Sequence, residues 1–242
     1  MLFEIINSGA SLSEIIIEVT MLVMVLSFTF SVHEFMHAWV AERMGDDTPR
    51  RQGRITLNPL AHIDPLGTVM LLVAGFGWAK PVQYNPNKLK KYKRWTCERL
   101  ISLAGVTANY ITAIVSSFIF VLLTYYFFKN PSTSEKGALA HSLILTFFYY
   151  LKEYGFLFMA FNLIPIPPLD GYRFLSTFIP YKWKEKFEVL SQYSYYIFFA
   201  LLIMGRFGHV SILSKIVNWI EYPFRWPVDK ICSQLLWNLI GK

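Results

Sequence analysis

Charge is what this chain has least of. Only 16% of its 242 residues are charged, while 54% are hydrophobic and 17% aromatic; a soluble domain carries about 25% charged residues. That balance argues against an ordinary soluble enzyme and for a protein that sits in lipid. Cysteine is nearly missing as well. Cys97 and Cys232 stand alone, too few for a disulfide framework or a thiolate zinc site. The opening MLFEIINSGA contains no Lys or Arg, so it lacks the basic start of a secretory signal peptide, and the first apolar run is expected to stay in the mature protein. The net charge of +7 would suit nucleic acid in a soluble protein. Here the basic residues lie between apolar runs, the pattern of membrane-protein loops, and no nucleic-acid partner is expected.

What is present is long and apolar, and its length suits one domain. From Ile15 through Phe30 into SVHEFMHAWVAERMG there is no helix breaker before Gly45, which predicts one helix over about residues 13–44. Residues 46–97 form a polar, basic loop interrupted by DPLGTVMLLVAGFGWAKPV. Gly67, Gly75, Gly77 and Pro81 break that patch too often for a spanning helix of about 20 residues, so a small re-entrant or β-hairpin element is expected. Residues 100–128 are charge-free, between Arg99 and Lys129. Residues 138–169 are apolar around Lys152 and Glu153. Pro165, Pro167 and Pro168 make 154–169 partly extended, which places the two charges at an interface. A fourth run, 187–204, is short and carries Ser191 and Gln192. The tail from Val210 alternates apolar and polar clusters with Trp219, Trp226 and Trp237, as interfacial helices do. The expected architecture is an all-α polytopic membrane protein with about four transmembrane helices. Residues 1–205 are its membrane-embedded part and 206–242 an amphipathic interfacial tail.

Orientation follows from the basic residues. The flank before Ile15 has none, whereas residues 43–99 hold eleven Lys or Arg. Positive-inside bias places the N-terminus outside and that loop in the cytoplasm. Four crossings then bring residues 170–186, with Arg173, Lys182, Lys184 and Lys186, to the cytoplasmic side as well. Cys97 and Cys232 face opposite sides in this topology and cannot pair.

The chemistry is concentrated in His33-Glu34-Phe35-Met36-His37. Histidines at i and i+4 lie on one helical face about 6 Å apart along the axis, so both imidazoles can reach one zinc. Glu34, between them, can take a proton from water at the metal, whose pKa zinc lowers to about 7. The bland alternative is a chance match, with both histidines satisfied by hydrogen bonds. Against it, three ionisable groups inside a membrane span are costly and usually functional.

Two histidines leave a catalytic zinc one protein ligand short. The candidate third lies in Asn162-Leu-Ile-Pro165-Ile-Pro167-Pro168-Leu-Asp170-Gly171. Prolines break the helix and expose backbone that is tolerated at membrane depth only inside protein or along a polar cavity. A carboxylate at the end of that segment is well placed for a metal. The alternative is that Asp170 caps a helix starting at Gly171, which leaves the prolines and Asn162 without a reason.

HEFMH in the first span together with NLIPIPPLDG in a later one resembles the site-2 protease family of intramembrane metalloproteases. LNPLAHIDPLGT and GFGWAKPV resemble its short bacterial and archaeal members, so the likeness covers roughly residues 25–180. The resemblance implies that His33, His37 and Asp170 bind one zinc per chain and that Glu34 is the catalytic acid and base. It also implies that the substrate is the transmembrane segment of another membrane protein. Residues 1–205 would then be a metalloprotease domain of the short form, without an added peptide-binding or nucleotide-sensing domain, in the cell membrane with its site opening toward the cytoplasm. The rival readings are a non-catalytic relative and an ion-binding membrane protein using the same constellation. Glu34 between the histidines favours hydrolysis over both.

Ala104-Gly105-Val106-Thr107-Ala108-Asn109 resembles the family's Ala-Gly-Pro-x-x-Asn stretch, with Val106 where Pro is usual. Asn109 either hydrogen-bonds the substrate or is a buried amide satisfied by a neighbouring helix, with Gly105 and Ala108 allowing close packing. Asn162 carries the same two readings. His62 is read as a loop organiser, and His141 and His209 as interfacial. The stretch 75–82 either offers an open strand edge to an unwound substrate or is a membrane-anchored loop.

Overall fold

The computed structural model describes residue 9 and residues 11–74, 77–207 and 212–241. Its first helix begins at a capping signal. The Ser11 hydroxyl accepts from Glu14 N–H, and the Glu14 carboxylate accepts from Ser11 N–H at 2.8 Å, so two donors at the helix start are satisfied reciprocally. Helix α1, Leu12–Arg43, has 32 residues, about 48 Å at 1.5 Å per residue. It ends where Gly45 turns the chain at φ +109°, a conformation that glycine adopts without steric cost. Helix α2, Pro65–Ala74, has ten residues. Helices α3, Arg94–Lys129, and α4, Glu135–Asn162, have 36 and 28. The short α5, Asp170–Ser176, follows the Pro-rich turn, and α6, Tyr181–Phe207, and α7, Ile212–Ile240, complete the order.

Three of the described helices, α1, α3 and α4, are long and apolar enough to cross a membrane. Helix α3 is central: α1, α4, α5 and α7 all pack on it. One buried cluster joins Val106, Ala113 and Val121 of α3 to Phe156, Met159 and Ala160 of α4 and to Leu213, Val217, Val228 and Cys232 of α7. A second joins Ala41 and Met44 at the end of α1 to Leu89, Cys97 and Ile101. Both cysteines are buried and free.

The loop between α1 and α3 is pinned by buried charge. Asp46 is fully buried; Oδ1 accepts from Thr48 N–H at 3.0 Å and Oδ2 from Asn85 N–H at 2.5 Å. Arg54 donates to the carbonyls of Ala61 and Lys80, and Lys80 N–H donates to His62 C=O at 2.8 Å. These bonds hold residues 79–85 extended along the end of α1.

Three expectations change in detail. Where a re-entrant or β-hairpin element was expected, the described residues show the short helix α2 and one antiparallel bridge between Ile63 and Ala79; Gly75 and Phe76 lie outside the described residues, as does His209. Helix α6 covers the fourth apolar run and is not one of the three long apolar helices. The non-helical part of 154–169 is confined to the turn 163–169, and residues 154–162 continue α4, so Lys152 and Glu153 lie well inside a helix. The helix tolerates them because Lys152 Nζ reaches Asp229 at 3.1 Å and Glu153 receives Arg225 at 2.6 Å, both on α7.

Candidate metal centre

Three donor atoms converge where α1, α3 and the turn after α4 meet. His33 Nε2 and His37 Nε2 are 3.0 Å apart. Asp170 Oδ2 lies 3.1 Å from the first and 3.0 Å from the second. All three residues are buried, and their ligand atoms form the one such His/Asp group among the described residues. Tetrahedral zinc with bonds of about 2.0–2.1 Å separates its ligand atoms by about 3.3 Å, so this triangle is close to the face of a zinc tetrahedron. It leaves the fourth corner open, as a catalytic site requires.

The proton count makes the same point. His37 Nδ1 faces the Ile101 carbonyl at 2.7 Å, and a carbonyl only accepts, so Nδ1 carries the hydrogen and Nε2 of the neutral ring is bare. Asn109 Nδ2 lies 3.1 Å from His33 Nδ1, while its own Oδ1 is buried without a partner. Amide oxygen and nitrogen are interchangeable in assignment. Exchanging them lets His33 Nδ1–H donate to the Asn109 oxygen and leaves His33 Nε2 bare. Two nitrogen lone pairs and a carboxylate oxygen without a hydrogen-bond partner then point at one spot with no proton among them. Such a set repels itself unless a cation stands between. Ring N–H groups held by a backbone carbonyl and an amide are also the usual outer support of zinc-bound histidines.

Asp170 does not cap its helix. Helix α5 starts at Asp170 itself, after Leu169, and no side chain caps it. The carboxylate is free for the histidines because the non-helical turn 163–169 brings it back to α1. That turn is held by the Ile166 N–H to Ile164 C=O and Leu169 N–H to Ile166 C=O bonds, and includes a cis peptide between Pro167 and Pro168.

Glu34 is buried beside the triangle but not in it. Its Oε2 accepts from Val82 N–H at 2.8 Å, so the pinned segment 79–85 fixes where the carboxylate sits. A cavity of about 570 Å³ connects His33, Glu34, His37, Asp170 and Asn109 with Asn162, Arg173 and the segment 77–82, walled by Phe30, Phe158 and Phe161. An apolar pocket with a few converging polar groups is the usual form of a binding site.

A family model described as Peptidase family M50 matches residues 21–205. The chain belongs to peptidase family M50. It is 37% identical over 182 residues to the Bacillus subtilis protein named "Putative zinc metalloprotease YwhC", covering 75% of this chain and 80% of that one. It is 29% identical over 180 residues to the Mycolicibacterium smegmatis protein named "Putative zinc metalloprotease Rip2", covering 71% of this chain and 62% of the relative. The Rip2 protein of Mycobacterium tuberculosis strain H37Rv matches at 31% over 150 residues, 60% of this chain and 52% of the relative. No solved structure matches.

Within this M50 chain the six residues singled out by sequence reading all line one cavity. Asn162, however, donates to Phe158 C=O at 3.0 Å, one turn back on its own helix, and His62 bonds Thr56 C=O away from the centre. Sequence reading missed the Ile101 carbonyl and the Val82 N–H. Gly105, read there as one of two residues allowing close packing, presses directly on the metal side. A Cβ on it would sit 2.5 Å from His33 Cε1 and from His37 Nε2.

Proposed function

We propose that this M50 protein is an intramembrane zinc endopeptidase that hydrolyses peptide bonds in or near transmembrane segments of membrane proteins. The carrying observation is the near-equilateral triangle of His33, His37 and Asp170 with Glu34 in the same cavity. One zinc held by His33, His37 and Asp170 would supply Lewis acidity toward water and toward a peptide carbonyl. Glu34 takes the proton of the attacking water and delivers it to the leaving amine. Val82 N–H holds one Glu34 oxygen and leaves the other for that proton. Asn109 orients His33 through its amide oxygen, and its remaining amide N–H2, on a residue that lines the cavity, is a donor for a substrate carbonyl. Asn162, bonded back to its own helix, lines the wall a substrate would pass. The extended stretch 77–82 lies beside the centre, where an unwound substrate backbone would have to run. The cavity opens toward the cytoplasm in a cell-membrane protein, with about four crossings if α6 spans the bilayer.

Glu34→Gln tests this reading against the ion-binding one. The amide keeps shape but cannot act as a base, so cleavage of a single-span substrate should fall at least ~10²-fold with zinc content near one per chain. Asp170→Asn should instead lose zinc along with activity, because an amide is a poor zinc ligand. Near-parental cleavage by folded Glu34→Gln protein would remove Glu34 from the mechanism.

A further inference from the structure

A second group of charges lies between α4 and α7, half-buried and away from the metal centre. Arg225 of α7 spends its guanidinium on three carboxylates: Nη2 to Glu153 at 2.6 Å, Nη1 to Glu221 at 2.8 Å and Nε to Asp229 at 3.0 Å. Lys152 reaches Asp229 at 3.1 Å and Glu153 at 3.5 Å. Its depth follows from its neighbours. Asn109 is level with His33, and Tyr110 next to it meets Phe156 and Phe224. Glu153 and Lys152 precede Phe156 by three and four residues, about one turn farther from the basic loop than the metal centre. Lys152 is also about 15 Å from the nearer end of α4. In a spanning α4 the network is therefore within the hydrocarbon layer of about 30 Å.

Helix α7 carries Glu221 and Arg225 on its packed side and Trp219, Trp226 and Trp237 beside Lys215 and Lys230 on its exposed side, so it is not divided into one charged and one apolar face as a helix lying on the membrane is. A surface helix points its charged face to water and its apolar face to lipid. On α7 the stripe of Leu213, Val217, Glu221, Val228 and Cys232 is buried and Arg225 lies along it. Trp219 and Trp237 on the outside are 81% and 76% exposed. The Tyr110 hydroxyl also donates to Phe224 C=O at 3.4 Å. We propose that α7 is embedded in the bilayer as a wall of the bundle, latched to α4 by the Lys152–Glu153–Arg225–Asp229 network, with its aromatic face against lipid acyl chains. An intramembrane charge is expected to have such a partner, and removing one member strands the others.

The test reads no proteolysis, so it stands apart from the proposed catalysis. With Cys97 replaced by Ala, Cys232 is the one thiol left, and it is 7% exposed in the docked arrangement. In lipid nanodiscs an aqueous maleimide should label Cys232 at least ~10-fold more slowly than a cysteine placed at Asn87 in the exposed loop. Arg225→Glu should raise the Cys232 rate by about tenfold or more, and Asp229→Asn, which frees one bond of Arg225 and one of Lys152, should move it less in the same direction. A spin label at Trp226→Cys should show the high oxygen and low nickel-chelate accessibility of one at lipid-facing Val115→Cys. Labelling of parental Cys232 at the loop rate, a spin label at Trp226 that reads like the headgroup zone, or unchanged labelling in both charge variants would each overturn the proposal.

Discussion

The two histidines are supported by different kinds of partner, and that decides what each tolerates. His37 leans on the Ile101 carbonyl, which no side-chain substitution removes. His33 leans on the Asn109 amide, which a substitution can change. Asn109→Leu takes away the acceptor for His33 Nδ1–H and should weaken zinc binding about 10–100-fold, the usual effect of losing an outer partner of a ligating histidine. Asn109→Asp restores an acceptor in the same place and should keep zinc, while lacking the N–H2 that would meet a substrate carbonyl. Zinc titration and cleavage assays on both variants separate the two roles; equal zinc affinity in all three proteins would show that Asn109 does not orient His33. This also marks what was legible at this scale. His33, Glu34 and His37 could be singled out because metal chemistry calls for those side chains at that spacing, and Asp170 because it ends the Pro-rich segment; the structure brings the four to one cavity. The Ile101 carbonyl and Val82 N–H could not, since every residue carries a backbone and the sequence leaves no mark on the one that is used.

Between elements, the metal centre depends on how closely α3 approaches α1. Gly105 stands where the α3 backbone meets both imidazoles, with 2.5 Å between an added Cβ and His37 Nε2. Gly105→Ala must push the rings or the helix apart, an overpacking cost of about 1–3 kcal/mol that falls on the ligand geometry. Zinc per chain after dialysis should drop well below that of the parent, with helical content unchanged; full zinc retention would show that the helices separate without moving the ligands. The long helices themselves were readable from their apolar runs and from breakers such as Gly45, whereas the cap at Ser11 was not read. The stretch 65–74 was not readable, because a short apolar run containing Gly67 and followed by Gly75 and Gly77 fits a short helix and a hairpin alike. The interface expected at Lys152 and Glu153 is instead a helix interior with ion-pair partners. Their partners Arg225 and Asp229 lie more than seventy positions along the chain, and sequence periodicity carries no information about pairs that distant.

Across the whole molecule the basic loop and Asp170, the third member of the candidate metal group, share one end of the bundle. Arg99, at the start of α3, donates to Thr177 Oγ1 at 2.8 Å and to Thr177 C=O at 3.2 Å, just past α5. Its guanidinium also lies 3.6 Å from the Phe178 ring centroid. Residues 43–99 and 170–178 are therefore at the same end of the bundle, as the sequence reading expected, and the eleven basic residues of the former are the reason for proposing that this end faces the cytoplasm. Asn87 is a suitable reporter. It is exposed, and its contribution to the loop is a backbone N–H to Asn85 Oδ1 at 3.0 Å, which a cysteine retains. With Cys97 and Cys232 replaced, Asn87→Cys in intact cells should react with a membrane-permeant maleimide and stay unlabelled by an impermeant one until the cells are opened. Reaction with the impermeant reagent in intact cells would place the loop outside. Because Arg99 ties the two segments together, it would carry Asp170 and the mouth of the metal cavity to the outer face as well, and substrates would then have to be sought among segments cut from that side.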